Sequence, residues 1–253
     1  MTTPNLFDNI VLFGDSITQI SWIPGGLSQR LAEAYTRKFD VINRGFNGYN
    51  SEWGLTVFKQ IFPTSELQLH LPTVRLLTIW WGANDATMPG DVQHVDVEKY
   101  AENLHTTVSL VTSPTSPYHS PSTRILLITP PPVNPKQRGS FPGQEPGSTW
   151  DSRNNVQTKA YAEAVRRVGS ECDIPVVDVW TLLWKYADGD EEKLAPLLFD
   201  GLHLNEKGYG MVYDELMIKL KETSPELLPG AVETLFPSWD KVDPDHIPPR
   251  QKS

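Results

Sequence analysis

The chain has 253 residues, 22 of them basic and 31 acidic, for a formal net charge of −9. That length holds one large α/β domain or two small ones and allows a sizeable core, and an apolar share of 39% against 21% charged is ordinary globular composition. The acidic balance argues against nucleic acid and anionic membranes as default partners, and a single cysteine, Cys172, excludes an internal disulfide or a thiolate metal cluster.

At the N-terminus, Met1-Thr2-Thr3-Pro4-Asn5 has no basic segment followed by an apolar stretch. No apolar run approaches bilayer length, and no glycosylation sequon with a permitted middle residue occurs. These features set the expectation of a soluble, cytoplasmic protein. Short β-branched runs at residues 9–13, 40–43, 74–81, 124–129 and 174–179 predict strands, mostly without polar alternation, as in strands covered on both faces. Helical spacing follows each of them, at 27–38, 53–62, 97–111, 153–170 and 206–221. Five alternations of strand and helix predict a five-stranded parallel sheet with right-handed crossovers and helices on both faces, a three-layer αβα sandwich. Ligands of such sheets bind at the carboxyl ends of the strands. Two stretches break the rhythm. Residues 130–150 are dense in Pro and Gly and read either as a loop over the site or as a surface excursion. Residues 237–253 are rich in Pro and charge and predict an extended strap appended to a single domain over 1–236.

The chemistry-bearing residues follow the strands. Ser16, in Phe13-Gly14-Asp15-Ser16-Ile17, comes just after the first strand; on its own a serine there is more often a turn former or helix cap than a nucleophile. The segment is not the Gly-x-Ser-x-Gly elbow, because Thr18 takes the second glycine's place. Asn43-Arg44-Gly45-Phe46-Asn47-Gly48 follows the second strand, where a glycine can present its N–H to a ligand or simply turn the chain. Trp81-Gly82-Ala83-Asn84-Asp85 ends the third strand; Asn84 offers a neutral N–H suited to an oxyanion, although an Asn-Asp turn is the common role there. Near the other end stands Phe199-Asp200-Gly201-Leu202-His203. An Asp three residues before a His can accept the Nδ1 proton and leave Nε2 as a base, yet an arbitrary Asp-x-x-His is usually a turn beside a surface histidine. The order of the four segments along the predicted sheet edge carries more than any one of them.

These motifs resemble those of the SGNH (GDSL-type) hydrolases. Gly14-Asp15-Ser16 is similar to the first family motif, Asn43 with Gly48 to the second, Gly82-Ala83-Asn84-Asp85 to the third and Asp200-Gly201-Leu202-His203 to the last. Further likeness, in Arg44-Gly45-Phe46, Gly48-Tyr49-Asn50, Pro89-Gly90, Gln93-His94-Val95 and Pro130-Pro131-Pro132, is to the branch of isoamyl acetate-hydrolysing esterases. It runs from about residue 10 to 216. The resemblance implies a flavodoxin-like SGNH fold and a carboxylic ester hydrolase for small acyl esters such as acetates. It further implies Ser16, His203 and Asp200 as nucleophile, base and orienter, and an oxyanion hole formed by the N–H groups of Ser16 and Gly48 with the Asn84 amide; Gly45 is the lesser candidate. Reaction through an acyl-enzyme then calls on no metal or organic cofactor. A small-molecule ester as partner and homodimerisation are expectations of the same kind. Trp80-Trp81 departs from the branch pattern and puts the pocket's shape in question.

Other residues carry weaker signals. Glu102 and His105 have a spacing used on di-metal helices, without a second copy. His94 fits a structural hydrogen bond, and Trp22 and Trp53 rank first as pocket walls among Trp22, Trp53, Trp80, Trp81 and Trp150. Two alternatives stand beside the esterase: an acyltransferase or sugar-ester deacetylase on the same motifs, and a flavodoxin-like ligand-binding module. The second is disfavoured because no Gly-x-Gly-x-x-Gly or Walker-type loop follows a strand.

Overall fold

Five parallel strands form one sheet in the computed structural model, which describes residues 7–140 and 152–243. β1 (Asp8–Gly14), β2 (Phe39–Gly45), β3 (Val74–Trp80), β4 (Arg124–Ile128) and β5 (Val176–Val177) lie in the order β2-β1-β3-β4-β5. Between and after them run α1 (Ser16–Ile20), α2 (Leu27–Ala34), α3 (Ser51–Ile61), α4 (Val97–Thr112), α5 (Pro135–Gly139), α6 (Asn155–Cys172), α7 (Val179–Tyr186) and α8 (Glu206–Thr223).

Successive side chains of a strand point to opposite faces, and helices cover both faces here. Ile10, Leu12, Leu76, Trp80, Leu126 and Ile128 pack with α2, α7 and α8, while Val11, Phe13, Leu77, Ile79, Ile125 and Leu127 pack with α3, α4 and α6. Two-sided burial explains why the strands read as unbroken apolar runs. β2 is the exception. As an edge strand it is only partly buried and exposes Asp40 and Arg44, charges that discourage pairing with another chain. Because β1 has β2 on one side and β3 on the other, the chain leaves β1 and β2 in opposite directions and opens a crevice at their carboxyl ends.

Several sequence-based boundaries move. The helix expected at 27–38 stops at Ala34, and Arg37 takes a left-handed φ of 64° on the way into β2. The strand expected at 174–179 shrinks to Val176–Val177, since Pro175 has no N–H and Asp178 caps α7, accepting the Thr181 N–H at 3.2 Å. The helix expected from residue 153 starts at Asn155, because the Asn154 side chain accepts the Gln157 N–H at 2.9 Å and so caps α6. Arg153 is thereby left outside the helix. The plain alternation also fails after β5, where α7 and a 3₁₀ segment, Glu191–Leu197, precede α8. Of the 130–150 stretch, residues 135–139 form α5, while 141–150, on which the loop-over-site reading depends, lie outside the described residues. The strap is described only to residue 243 and includes a 3₁₀ turn, Trp239–Lys241. Among the described residues no helix is long and apolar enough to cross a membrane.

Candidate active site

β1 ends at Gly14 and α1 begins at Ser16, with Asp15 between them as the cap: its Oδ1 accepts the Ile17 N–H at 2.9 Å. Asp15 thus fills the capping role that a serine after a strand would ordinarily take, and the Ser16 hydroxyl is released from it. Ser16 is only 2% exposed and lines a cavity, and α1 is held from two sides. Asn43 Nδ2 donates to Thr18 O at 2.6 Å and the Tyr209 hydroxyl donates to Ile17 O at 2.5 Å. Gly45 lies against the same helix so closely that a Cβ would stand 2.0 Å from Gln19 N. Its lack of a side chain therefore serves packing.

The 199–203 loop is closed by a bridge between Leu198 and Leu204 and by the Phe199 N–H donating to His203 O at 2.7 Å. Within it Asp200 spends both carboxylate oxygens. Oδ1 accepts the N–H groups of Leu202 and His203 at 3.0 and 2.8 Å. Oδ2 accepts from His203 Nδ1 at 2.8 Å and from the buried Arg138 guanidinium. A donor at Nδ1 leaves Nε2 as the acceptor, and Nε2 stands 2.8 Å from Ser16 Oγ. Burial opposes the charge on Asp200, but the hydrogen bonds and charge of His203, with Arg138, outweigh it and hold the carboxyl well below its usual range.

Gly48 sits in the turn after β2 with a positive φ of 78°, a conformation that costs a residue with a Cβ about 1–2 kcal/mol. Neither its N–H nor that of Ser16 donates to another group among the described residues. Asn84 donates one amide N–H to Tyr49 O at 2.8 Å, and its Oδ1 accepts from Arg153 Nη2 at 2.9 Å. Ser16, Gly48, Asn84 and His203 share a cavity of about 360 Å³, whose other walls include Trp53, Val92, Gln93, Arg138, Arg153 and Leu202. The structure therefore brings all five sequence-predicted residues to one place, with Asp200 behind His203.

Two carboxylates lie under this cavity. Burial pushes Asp15 up to about 7, with a smaller push from Asp85, against the Ile17 N–H and the charge of Arg153. Burial likewise pushes Asp85 up to about 6, opposed by Ser51, whose N–H donates to Asp85 Oδ1 at 2.9 Å.

The sequence model of the GDSL-like lipase/acylhydrolase family matches residues 12–211. The chain belongs to this family. An Arabidopsis thaliana GDSL esterase/lipase is 36% identical over 238 residues, covering 93% of this chain and 94% of that protein. The Homo sapiens isoamyl acetate-hydrolyzing esterase 1 homolog is 34% identical over 239 residues, 88% of this chain and 87% of its own. Among solved structures, a lipase/acylhydrolase from Enterococcus faecalis superposes with a TM-score of 0.61 at 25% identity, covering 90% of this chain and 98% of that one. The GDSL-family chain is accordingly a carboxylic ester hydrolase.

Beyond the GDSL motifs, the sequence reading missed three residues: Arg138, Arg153 and Gln93 in a contact role. For the two arginines the one available signal was a charge placed beside polar and Pro-rich loop residues, which ordinarily means solvent. Of the tryptophans, Trp53 lines the cavity and Trp22 does not. Trp80 and Trp81 are core residues: Trp80 Nε1 donates to Thr129 O at 3.0 Å, and Trp81 meets Phe13 edge-on at 5.0 Å. Their departure from the branch pattern thus changes packing under the site. Trp150 lies outside the described residues. His94 Nδ1 stands 2.6 Å from Thr87 O, the structural hydrogen bond expected of it, and Glu102 pairs with Lys99 at 3.2 Å on an exposed face.

Proposed function

We propose that this GDSL-family enzyme hydrolyses small acyl esters, acetates among them, through an acyl-enzyme on Ser16. The observation that carries this reading is the unbroken chain from Ser16 Oγ to His203 Nε2 at 2.8 Å and from His203 Nδ1 to Asp200 at 2.8 Å. His203 takes the Ser16 proton as Oγ attacks the ester carbonyl, Asp200 holds the imidazolium that forms, and the carbonyl oxygen becomes an oxyanion. The N–H groups of Ser16 and Gly48, which donate to no group among the described residues, and the second N–H of the Asn84 amide line the same cavity and would stabilise it. His203 then gives its proton to the departing alkoxide oxygen as the C–O bond breaks. Water repeats the sequence on the acyl-enzyme, with His203 as its base, and releases the carboxylic acid. Removing the Asn84 donor is expected to lower turnover by about 10²–10³.

The cavity offers Trp53, Val92 and Leu202 as apolar walls for an acyl group. Relatives named isoamyl acetate-hydrolyzing esterase 1 homolog support a small one. The test is a panel of p-nitrophenyl esters from acetate to palmitate on wild type and Ser16→Ala. The expected result is higher kcat/KM on acetate than on palmitate and a loss of about 10⁴-fold or more in Ser16→Ala. Faster hydrolysis of palmitate would overturn the acyl preference. A folded but inactive wild type across the panel would favour an acyltransferase or a binding module.

A further inference from the structure

Arg153 is a buried cation with no carboxylate partner among its hydrogen bonds. The residue is 8% exposed and lines the cavity. Nε donates to Ala83 O at 2.9 Å, and Nη2 donates to Asn84 Oδ1 at 2.9 Å and to Gln93 Oε1 at 3.1 Å. All three acceptors are neutral. Nη1 makes no hydrogen bond to a described residue.

A guanidinium only donates, so its position decides which way two amides face. Asn84 must turn Oδ1 toward Arg153, which sends Nδ2 to the other side, where it meets Tyr49 O at 2.8 Å and has one N–H left over. Gln93 must likewise turn Oε1 toward Arg153. Its Nε2 then donates to Gly48 O at 2.7 Å and pins the turn that carries the Gly48 N–H. Two amides with interchangeable ends are thus fixed by one cation. The same charge polarises the Asn84 amide and makes its remaining N–H a stronger donor. In a low-dielectric cavity it also favours negative charge near Asn84, where an oxyanion would form.

We propose that Arg153 is a positioning residue of the oxyanion site, setting the Asn84 amide directly and the Gly48 N–H through Gln93. This rests on the reading of Ser16, Gly48 and Asn84 given above. Its action belongs to the transition state, so its loss should appear in kcat more than in KM.

The experiment measures kcat and KM for p-nitrophenyl acetate in Arg153→Met, Asn84→Ala, the double variant and Ser16→Ala, each with a thermal unfolding curve. Arg153→Met should lower kcat by about 10–10²-fold, in line with a donor displaced by about 1 Å, with KM shifted less than about threefold. In the Asn84→Ala background the same change should cost less, because only the Gly48 arm is then left for Arg153 to position. Millimolar guanidinium should restore part of the kcat of Arg153→Ala and none of that of Ser16→Ala. If Arg153→Met does not fold, Gln93→Leu removes the Gly48 arm and one acceptor of Arg153 while leaving Asn84 Oδ1 and Ala83 O to hold the guanidinium, and should still lower kcat with KM held. An unchanged kcat in folded Arg153→Met, or equal losses with and without Asn84, overturns the proposal while Ser16→Ala remains inactive. Full activity in Ser16→Ala would instead overturn the reading beneath it.

Discussion

Asp200→Asn keeps the size of the side chain, removes one charge and changes what one atom can do. Oδ1 must stay an oxygen, because it accepts the N–H groups of Leu202 at 3.0 Å and His203 at 2.8 Å. The new amide nitrogen then occupies the place of Oδ2, facing His203 Nδ1 at 2.8 Å and the Arg138 guanidinium. Donor faces donor on both sides. His203 escapes by moving its proton to Nε2, which turns Nε2–H toward Ser16 Oγ and ends its service as a base. A tautomer lost in this way lowers kcat by about 10³–10⁴, or about 4–5.5 kcal/mol of transition-state stabilisation at ~1.36 kcal/mol per decade. Arg138 fares no better. Its side chain is 5% exposed and that of Asp200 4%, and breaking such a buried pair from one side costs up to about 3–5 kcal/mol of stability. The assay is kcat on p-nitrophenyl acetate over the folded fraction, with urea unfolding of both proteins. A folded variant that keeps more than about a tenth of wild-type kcat would refute the tautomer argument, and an unchanged urea midpoint would refute the dependence of Arg138 on Asp200.

Two further substitutions test the ground under the site. Gly45→Ala puts a Cβ 2.0 Å from the α1 backbone and should cost about 1–3 kcal/mol or more of stability, read by thermal unfolding; Gly48→Ala meets nothing nearer than Gln93 Nε2 at 3.5 Å and should cost only the ~1–2 kcal/mol of its positive φ. Equal losses would contradict the packing role of Gly45. Asp15 holds its proton in the folded state up to about 7 but releases it near 3.8 when unfolded, so the folded state binds more protons across that window and stability falls as pH rises through it. Asp85 acts in the same direction between 3.8 and about 6, whereas Asp200, held low, gives stability that is lost as pH falls below 3.8. Asp15→Asn retains an oxygen for the Ile17 N–H and should flatten the decline in Tm between pH 5 and 8. Parallel Tm curves for wild type and variant would show that Asp15 does not titrate there.

The sheet was legible in the sequence because both of its faces are covered, which turns β1, β3 and β4 into apolar runs that local pattern alone can find. β5 was overread, since Pro175 and Asp178 end the ladder by backbone chemistry that apolarity does not reveal. Ser16, Gly48, Asn84, Asp200 and His203 stood out through the order of their segments along the sheet edge and the resemblance to the SGNH motifs, each being a weak signal alone, and the structure brings them together. Arg138 and Arg153 were not, because their burial depends on partners 62 and 69 residues away in sequence, Asp200 and Asn84. Helical spacing carried the expected α6 back over Arg153, and only the Asn154 cap frees that side chain to enter the cavity.

Covalent labelling with diethyl p-nitrophenyl phosphate reads out directly whether Ser16 is the nucleophile. The expected result is a burst of one p-nitrophenolate per chain, a diethylphosphoryl group mapped to Ser16, loss of ester hydrolysis in step with labelling, and no label in folded Ser16→Ala. A label on another residue with the same loss of activity, or undiminished hydrolysis by Ser16→Ala, would contradict it.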